Sequence, residues 1–174
     1  TSFAFKGVEL PSEDEVSDQY LFAVEELAAL GFTQYEISNF SRLGRESRHN
    51  LLYWRGEEYL GFGPGAHSFY GGRRFYYPRN LEGFLEGNPP VEDGPGGDFG
   101  EFAMLNLRLT RGLRREDCLA RFGPHGGELF QEVLGNAKKC PSSLLRREAD
   151  SLAFTSEGFL VSNALLVRLL GEEL

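Results

Sequence analysis

Between Asn88 and Phe99 the chain crowds Pro89-Pro90 and Gly94-Pro95-Gly96-Gly97 into a dozen residues. Proline removes a backbone donor and fixes φ, and glycine multiplies the conformations that folding must discard. No long helix or unbroken strand runs through such a stretch. It is the strongest boundary in the sequence and predicts two parts, 1–88 and 99–174, joined by a linker over 89–98. What the chain can fold into then depends on the patterns on either side.

Upstream, Pro11-Ser12-Glu13-Asp14-Glu15 reads as a helix start, with Ser12 as N-cap and Glu15 at the capping-box spacing. Val16, Tyr20, Val24 and Leu27 follow at helical spacing, and Gly31 suits the residue after the helix end. From Thr33 to Asn39, Tyr35, Ile37 and Asn39 alternate against Glu36 and Ser38, which predicts a strand. Helix, turn, strand is a unit of α/β architecture, and a parallel strand needs neighbours on both sides. Too little chain precedes Thr33 to supply them. That predicts an incomplete sheet with an open edge, along which a second copy could pair. Residues 41–58 read as a polar loop. Tyr59 begins a strand, a glycine-rich turn and a hairpin folding at Gly71-Gly72, and Asn80 to Leu85 reads as a short helix.

Downstream the pattern turns helical. Phe102, Leu105 and Leu109 mark one helix, Leu119 and Phe122 a second, and Leu129, Phe130, Val133 and Leu134 a third. Leu144-Leu145, Leu152 to Thr155 and Phe159-Leu160 suggest a small hairpin, and Ala164 to Leu170 a last helix. The sum is a winged-helix-like module, so the fold class expected is mixed, α/β or α+β.

Charge and cysteine usage exclude several functions. A net charge of -8 disfavours general nucleic-acid binding, and the last helix, from Ser162 to Leu170, offers only Arg168 to a phosphate or base. The two cysteines, Cys118 and Cys140, form no close group. They suit a reducing cytoplasm and cannot hold an iron–sulfur cluster from a local motif. No apolar run reaches membrane-spanning length, and Thr1 to Lys6 does not read as a signal peptide.

His49 carries the sharpest chemistry. It stands among Arg45, Arg48 and Asn50, followed by Tyr53, Trp54 and Arg55. Imidazole is a common axial ligand of heme iron, guanidinium groups pair with propionates, and aromatic faces cover a flat macrocycle. A solvated or hydrogen-bonded structural histidine is the ordinary alternative, and it stays open on these residues alone. The Gly61-x-Gly63-x-Gly65 run, with Ala66 and His67 behind it, could let backbone approach a nucleotide-like ligand. It lacks a following P-loop lysine and a helix start, so neither Walker nor Rossmann use is supported, and a tight turn explains it equally. Arg73 and Arg74 beside Tyr76, Tyr77 and Arg79 make a second basic–aromatic patch, either an extension of an anion site or a solvated hairpin face.

Three segments in order, Tyr35-Glu36-Ile37-Ser38-Asn39-Phe40, His49-Asn50-Leu51-Leu52-Tyr53-Trp54 and Tyr59-Leu60-Gly61-Phe62-Gly63-Pro64-Gly65-Ala66-His67-Ser68, resemble signatures of the coproporphyrinogen-oxidase-like radical SAM proteins, in their HemW-like branch. Asn80-Leu81-Glu82, Glu101 to Leu109 and Leu152 to Leu160 match the same family's carboxy-terminal domain. The resemblance implies the end of a partial TIM-like barrel with cavity loops and a hairpin over 1–88, then a HemN-type carboxy-terminal domain over 99–174. It implies that the Tyr35 strand is the last of the barrel. It also implies a parent protein with S-adenosylmethionine and a [4Fe–4S] cluster, whose ligands are absent here, so this chain alone would be inactive as an enzyme.

Within that family the His49 motif points to heme-binding chaperones, while the oxidases carry a glutamine-containing segment there. The resemblance therefore implies a heme or porphyrin ligand held by His49, Asn50, Tyr53, Trp54 and Arg48, with His49 as candidate iron ligand. Gly61, Gly63, Gly65, Ala66 and His67 would line the S-adenosylmethionine side of the cavity, and heme-acceptor proteins of respiration would be the partners. Ser47 departs from the pattern, standing where many relatives have cysteine. The rival reading makes the chain part of an oxygen-independent coproporphyrinogen III oxidase, an oxidative decarboxylase.

Overall fold

The computed structural model describes residues 10–171, so the reading of Thr1 to Lys6 lies outside the described residues. Helix α1 (Glu13–Ala29) starts where the capping box puts it. Ser12 Oγ accepts from the Glu15 amide at 3.3 Å, and Glu15 Oε2 accepts from the Ser12 amide at 2.8 Å. The backbone hydrogen bond from Ser12, then that from its hydroxyl, favour the carboxylate and lower the Glu15 pKa. Gly31 follows the cap with φ 81°, as a helix end of this kind requires. The helix fully buries none of its side chains, and Phe22 and Leu30 stay exposed.

The stretch from Thr33 to Asn39 is not one strand. It breaks after Glu36, so that β1 (Thr33–Glu36) pairs antiparallel with β2 (Asn39–Ser41). The other side of β1 is not open either. The Ile37 amide donates to the Arg108 carbonyl at 2.9 Å, and the Thr110 amide donates to the Tyr35 carbonyl at 3.1 Å. The expected parallel neighbours and the edge available to a second copy are therefore replaced by a hairpin and a seam with the later part of the chain. Glu36 is fully buried at this seam, with Oε2 accepting from the Ser38 amide at 3.2 Å and Oε1 without a partner among the described residues.

Residues 41–58 are not all loop, because α2 (Arg48–Trp54) forms within them. Next, β3 (His67–Tyr70) and β4 (Arg73–Tyr76) make the expected hairpin, turning at Gly71 and Gly72 with φ 61° and 72°. Both residues in the left-handed region is the turn that matches strand twist. Tyr59 does not begin a strand; it bridges Phe69 alone. Helix α3 (Leu81–Leu85) is capped by Asn80, whose Oδ1 accepts from the Gly83 amide at 3.2 Å. Within the proline- and glycine-rich stretch, β5 (Val91–Pro95) adds to β4 as the third strand of that sheet. Its proline and glycine are tolerated because β5 is an edge.

Helix α4 (Phe99–Leu107), capped by Asp98, leads to β6 (Leu113–Arg114) and α5 (Arg115–Ala137). Gly123, at φ 65° and ψ -154°, followed by Pro124, divides α5 into the two helices that the apolar spacing predicts. Then β7 (Leu145–Arg147) and β8 (Ser151–Phe154) form a hairpin, with β6 completing a sheet of order β6-β8-β7. Phe159 and Leu160 are not part of the hairpin: Thr155 Oγ1 accepts from the Gly158 amide at 3.0 Å and caps the short α6 (Ser156–Leu160), and α7 (Ser162–Leu170) closes the module. The mixed class holds, with a helix-rich second part carrying a small sheet.

The core lies almost wholly in that second part. Phe102, Leu107, Leu113, Phe130, Leu152, Phe154, Leu165 and Leu169 are all buried in one cluster, against which Tyr20 and Ile37 of the first part pack.

Cys118 and Cys140 are both free and buried. Burial, reinforced by the neighbouring Asp117 charge, pushes the Cys118 thiol up to about 12. As pH rises above the ordinary thiol range of about 8.5–9, the unfolded chain loses this proton while the folded chain keeps it. The unfolded state then binds fewer protons, so stability is full below that range and falls towards pH 12, by up to about 1.4 kcal/mol per pH unit. Denaturation midpoints measured over this range should show the loss, and Cys118→Ala should flatten it. An equal slope in the variant would assign the loss to other groups.

Candidate functional site

The residues singled out by the sequence cluster on α2 and on the hairpin that follows. Ser47 caps α2, its hydroxyl accepting from the Asn50 amide at 3.3 Å, so Arg48 and His49 occupy the first turn. Both are exposed, and Asn50 is half-buried. One turn on, the Tyr53 hydroxyl lies 2.9 Å from His49 Nε2. The two rings meet edge to face at 4.8 Å, and Tyr53 meets Tyr59 the same way at 4.5 Å. His49, Tyr53 and Tyr59 thus form a row of edge-packed rings with the imidazole at its exposed end.

The cations around this row differ in availability. Among the described residues Arg45 and Arg48 are exposed and make no ion pair. Arg55 lies 3.9 Å from Glu57, both half exposed, a pairing worth little in water. Trp54 is half-buried, with the Arg108 guanidinium 6.0 Å from its ring centre. The second patch is committed elsewhere. Arg73 pairs with Glu92, and Arg74 pairs with Glu101 while lying over Phe69 at 4.8 Å. Of the two readings of that patch, a hairpin face paired with acids of β5 and α4 is the one the geometry supports.

The glycine run is a tight loop whose amides bond to itself and to the adjoining hairpin. The Gly61 amide donates to Ser68 Oγ at 3.0 Å, Gly65 to the Tyr77 carbonyl at 2.8 Å, and Ala66 to the Gly63 carbonyl at 3.1 Å. Gly61 is required for close approach, since a Cβ there would run into the His67 carbonyl. Gly63 and Gly65 take φ 105° and 78°. These three amides are spent on the loop and on the hairpin beside it and are not presented to a phosphate. The loop offers a ligand His67, exposed and stacked on Tyr76 at 5.1 Å, and the exposed ring of Phe62.

Among the described residues no three His, Cys, Asp or Glu side chains gather as a metal site. Two separated, buried thiols do not fit an iron–sulfur cluster. A porphyrin brings its own four nitrogens and asks the protein for an axial donor, anion partners and an aromatic surface, which His49, Arg48, Arg45 and the Tyr53–Tyr59 row could supply. Sequence reasoning missed the residues that hold α2 in place, Arg108 and Arg121. They lie more than fifty positions beyond the motif, and no local signal links them to it.

No family model matches the chain. It is similar to the heme chaperone HemW of Bacillus subtilis, at 31% identity over 171 residues, covering 94% of this chain and 45% of that protein. It is also similar to the heme chaperone HemW of Mycobacterium tuberculosis, at 35% identity over 169 residues, covering 92% and 41%. Its fold is similar to that of the coproporphyrinogen III oxidase HemN of Escherichia coli, a radical SAM enzyme, with a TM-score of 0.63 over 92% of this chain and 42% of that one, at 16% identity. The chain spans less than half the length of these curated relatives.

Proposed function

We infer what this chain does from one premise: it belongs to the HemW-like family and corresponds to the carboxy-terminal part of those proteins. It is the heme-handling half of a heme chaperone. His49 supplies the axial nitrogen, Arg48 and Arg45 reach the propionates, and Tyr53 and Trp54 flank the macrocycle with Asn50 between them. Gly61, Gly63, Gly65, Ala66 and His67 form a neighbouring wall, where the parent's S-adenosylmethionine would lie. Heme-acceptor proteins of respiration are the destinations, in the cytoplasm. The division into a barrel end over 1–88 and a HemN-type domain over 99–174 belongs to the same reading.

The observation that carries this is the exposed imidazole at the head of α2 with its Nε2 against the Tyr53 hydroxyl. A hydroxyl at that distance fixes the ring's orientation, as outer partners of metal-binding histidines do. It also occupies a nitrogen that iron could use, so the hydroxyl has to turn aside if Nε2 is the ligand. Adding hemin to the chain should give a Soret band that His49→Ala shifts or removes, with affinity falling about tenfold or more. Tyr53→Phe keeps the ring packing, frees Nε2 and should retain the band. An unchanged spectrum and affinity in His49→Ala would sink the ligand assignment. The rival oxidase reading has its own test: protoporphyrinogen formed by the full-length parent would defeat the chaperone reading.

A further inference from the structure

The last turn of α2 is held by the module that follows residue 98. Gly56 is buried at φ 64°, and the helix ends with the Gly56 amide donating to Tyr53 and the Glu57 amide to Leu52, each at 3.0 Å. This is the paired hydrogen-bond arrangement of a left-handed helix stop. The Gly56 carbonyl points outward from that stop and accepts from Arg121 Nη1 of α5 at 2.9 Å. The same guanidinium lies 5.3 Å from the ring centre of Phe102 and 5.8 Å from that of Phe122. Those two rings pack edge to face at 5.5 Å, and Phe102 belongs to the core. Arg121 makes no ion pair among the described residues. Its charge is met instead by the negative end of α2 and by two ring faces. Arg108 lies near Trp54 on the same turn and reaches Asn163 Oδ1 at 3.3 Å.

The tail of α2 is therefore fastened to the core, while its head, with Arg48 and His49, stands free. Fewer than two turns of helix separate the tail from the head, so the fastened tail sets the direction of the head.

We propose that Arg121 is a positioning residue: through the Gly56 carbonyl it fixes the angle at which α2 presents His49 to its ligand. The proposal rests on the reading of His49 given above for its ligand, and on geometry alone for the fastening.

The test uses Arg121→Gln and Arg121→Lys in the whole chain, read by amide hydrogen exchange and by hemin spectra. Exchange in residues 48–57 should rise about tenfold in Arg121→Gln, while the amides of α5 and α7 keep their protection. The His49-dependent Soret band should broaden or shift, hemin should bind about tenfold more weakly, and Arg121→Lys should restore part of both. Unchanged exchange in 48–57 would overturn the fastening. Faster exchange with an unaltered His49-dependent band would overturn the positioning role. If the unsubstituted chain gives no band that depends on His49, the failure belongs to the ligand assignment, and the exchange result still decides whether Arg121 orients the helix.

Discussion

Replacing Phe130 by alanine should lower the unfolding free energy by about 3–5 kcal/mol. Phe130 has no exposed surface and lies on α5 in the cluster that also holds Leu107, Leu152 and Leu169. Two effects combine. The ring's transfer from water is lost, and a hole is left among neighbours that two helices and a sheet hold in place. Such neighbours collapse only partly, which puts the cost towards the upper end. Urea denaturation followed by far-ultraviolet circular dichroism should show a lower midpoint with little change in slope. Phe130→Leu keeps most of the volume and should recover at least half of the loss. A decrease below about 1 kcal/mol in the alanine variant would show that this cluster is not where the fold's cohesion lies.

Gly112→Ala should destabilise by more than about 3 kcal/mol, although it adds one methyl group. Gly112 precedes β6 with φ 72°, and a Cβ there would strike the Leu152 carbonyl and the Ala153 side chain of β8. The left-handed backbone strains alanine, and the contact strains the ladder that joins β6 to β8. Gly72 separates the two effects. It has the same φ of 72° in the β3–β4 turn, but a Cβ there would meet nothing within 4 Å. Gly72→Ala should therefore cost only about 1 kcal/mol, the backbone part alone. Equal losses at the two positions would refute the close-contact argument.

What was legible in the sequence was what depends on near neighbours in the chain. The capping box at Ser12 and Glu15, the Gly71-Gly72 turn, the short helix from Asn80 to Leu85 and the separate helices around Leu119 and Phe130 all rest on a few nearby residues. The break after Glu36 was hidden because Ile37 and Ser38 continue the alternation of a strand while turning its backbone. Helix α2 was hidden because it has only seven residues, too few for a helical period to show against charged neighbours, although Ser47 was a readable cap. β5 escaped notice because proline and glycine argue against strands, and only its place at a sheet edge makes them harmless. Of the site, His49, Tyr53 and the nearby arginines were readable as a group. The fastening by Arg108 and Arg121 was not, because it arises only when distant parts of the chain fold together.

The single tryptophan of the chain is Trp54, and it stands at the joint between α2 and the later module, beside Arg108, not in the main cluster. Its emission is therefore a gauge of that joint. Far-ultraviolet ellipticity, dominated by helices such as α5 that belong to the core, is a gauge of the module. A titration in which fluorescence changes before ellipticity would record the undocking of the helix that carries His49 while the rest of the fold is still intact.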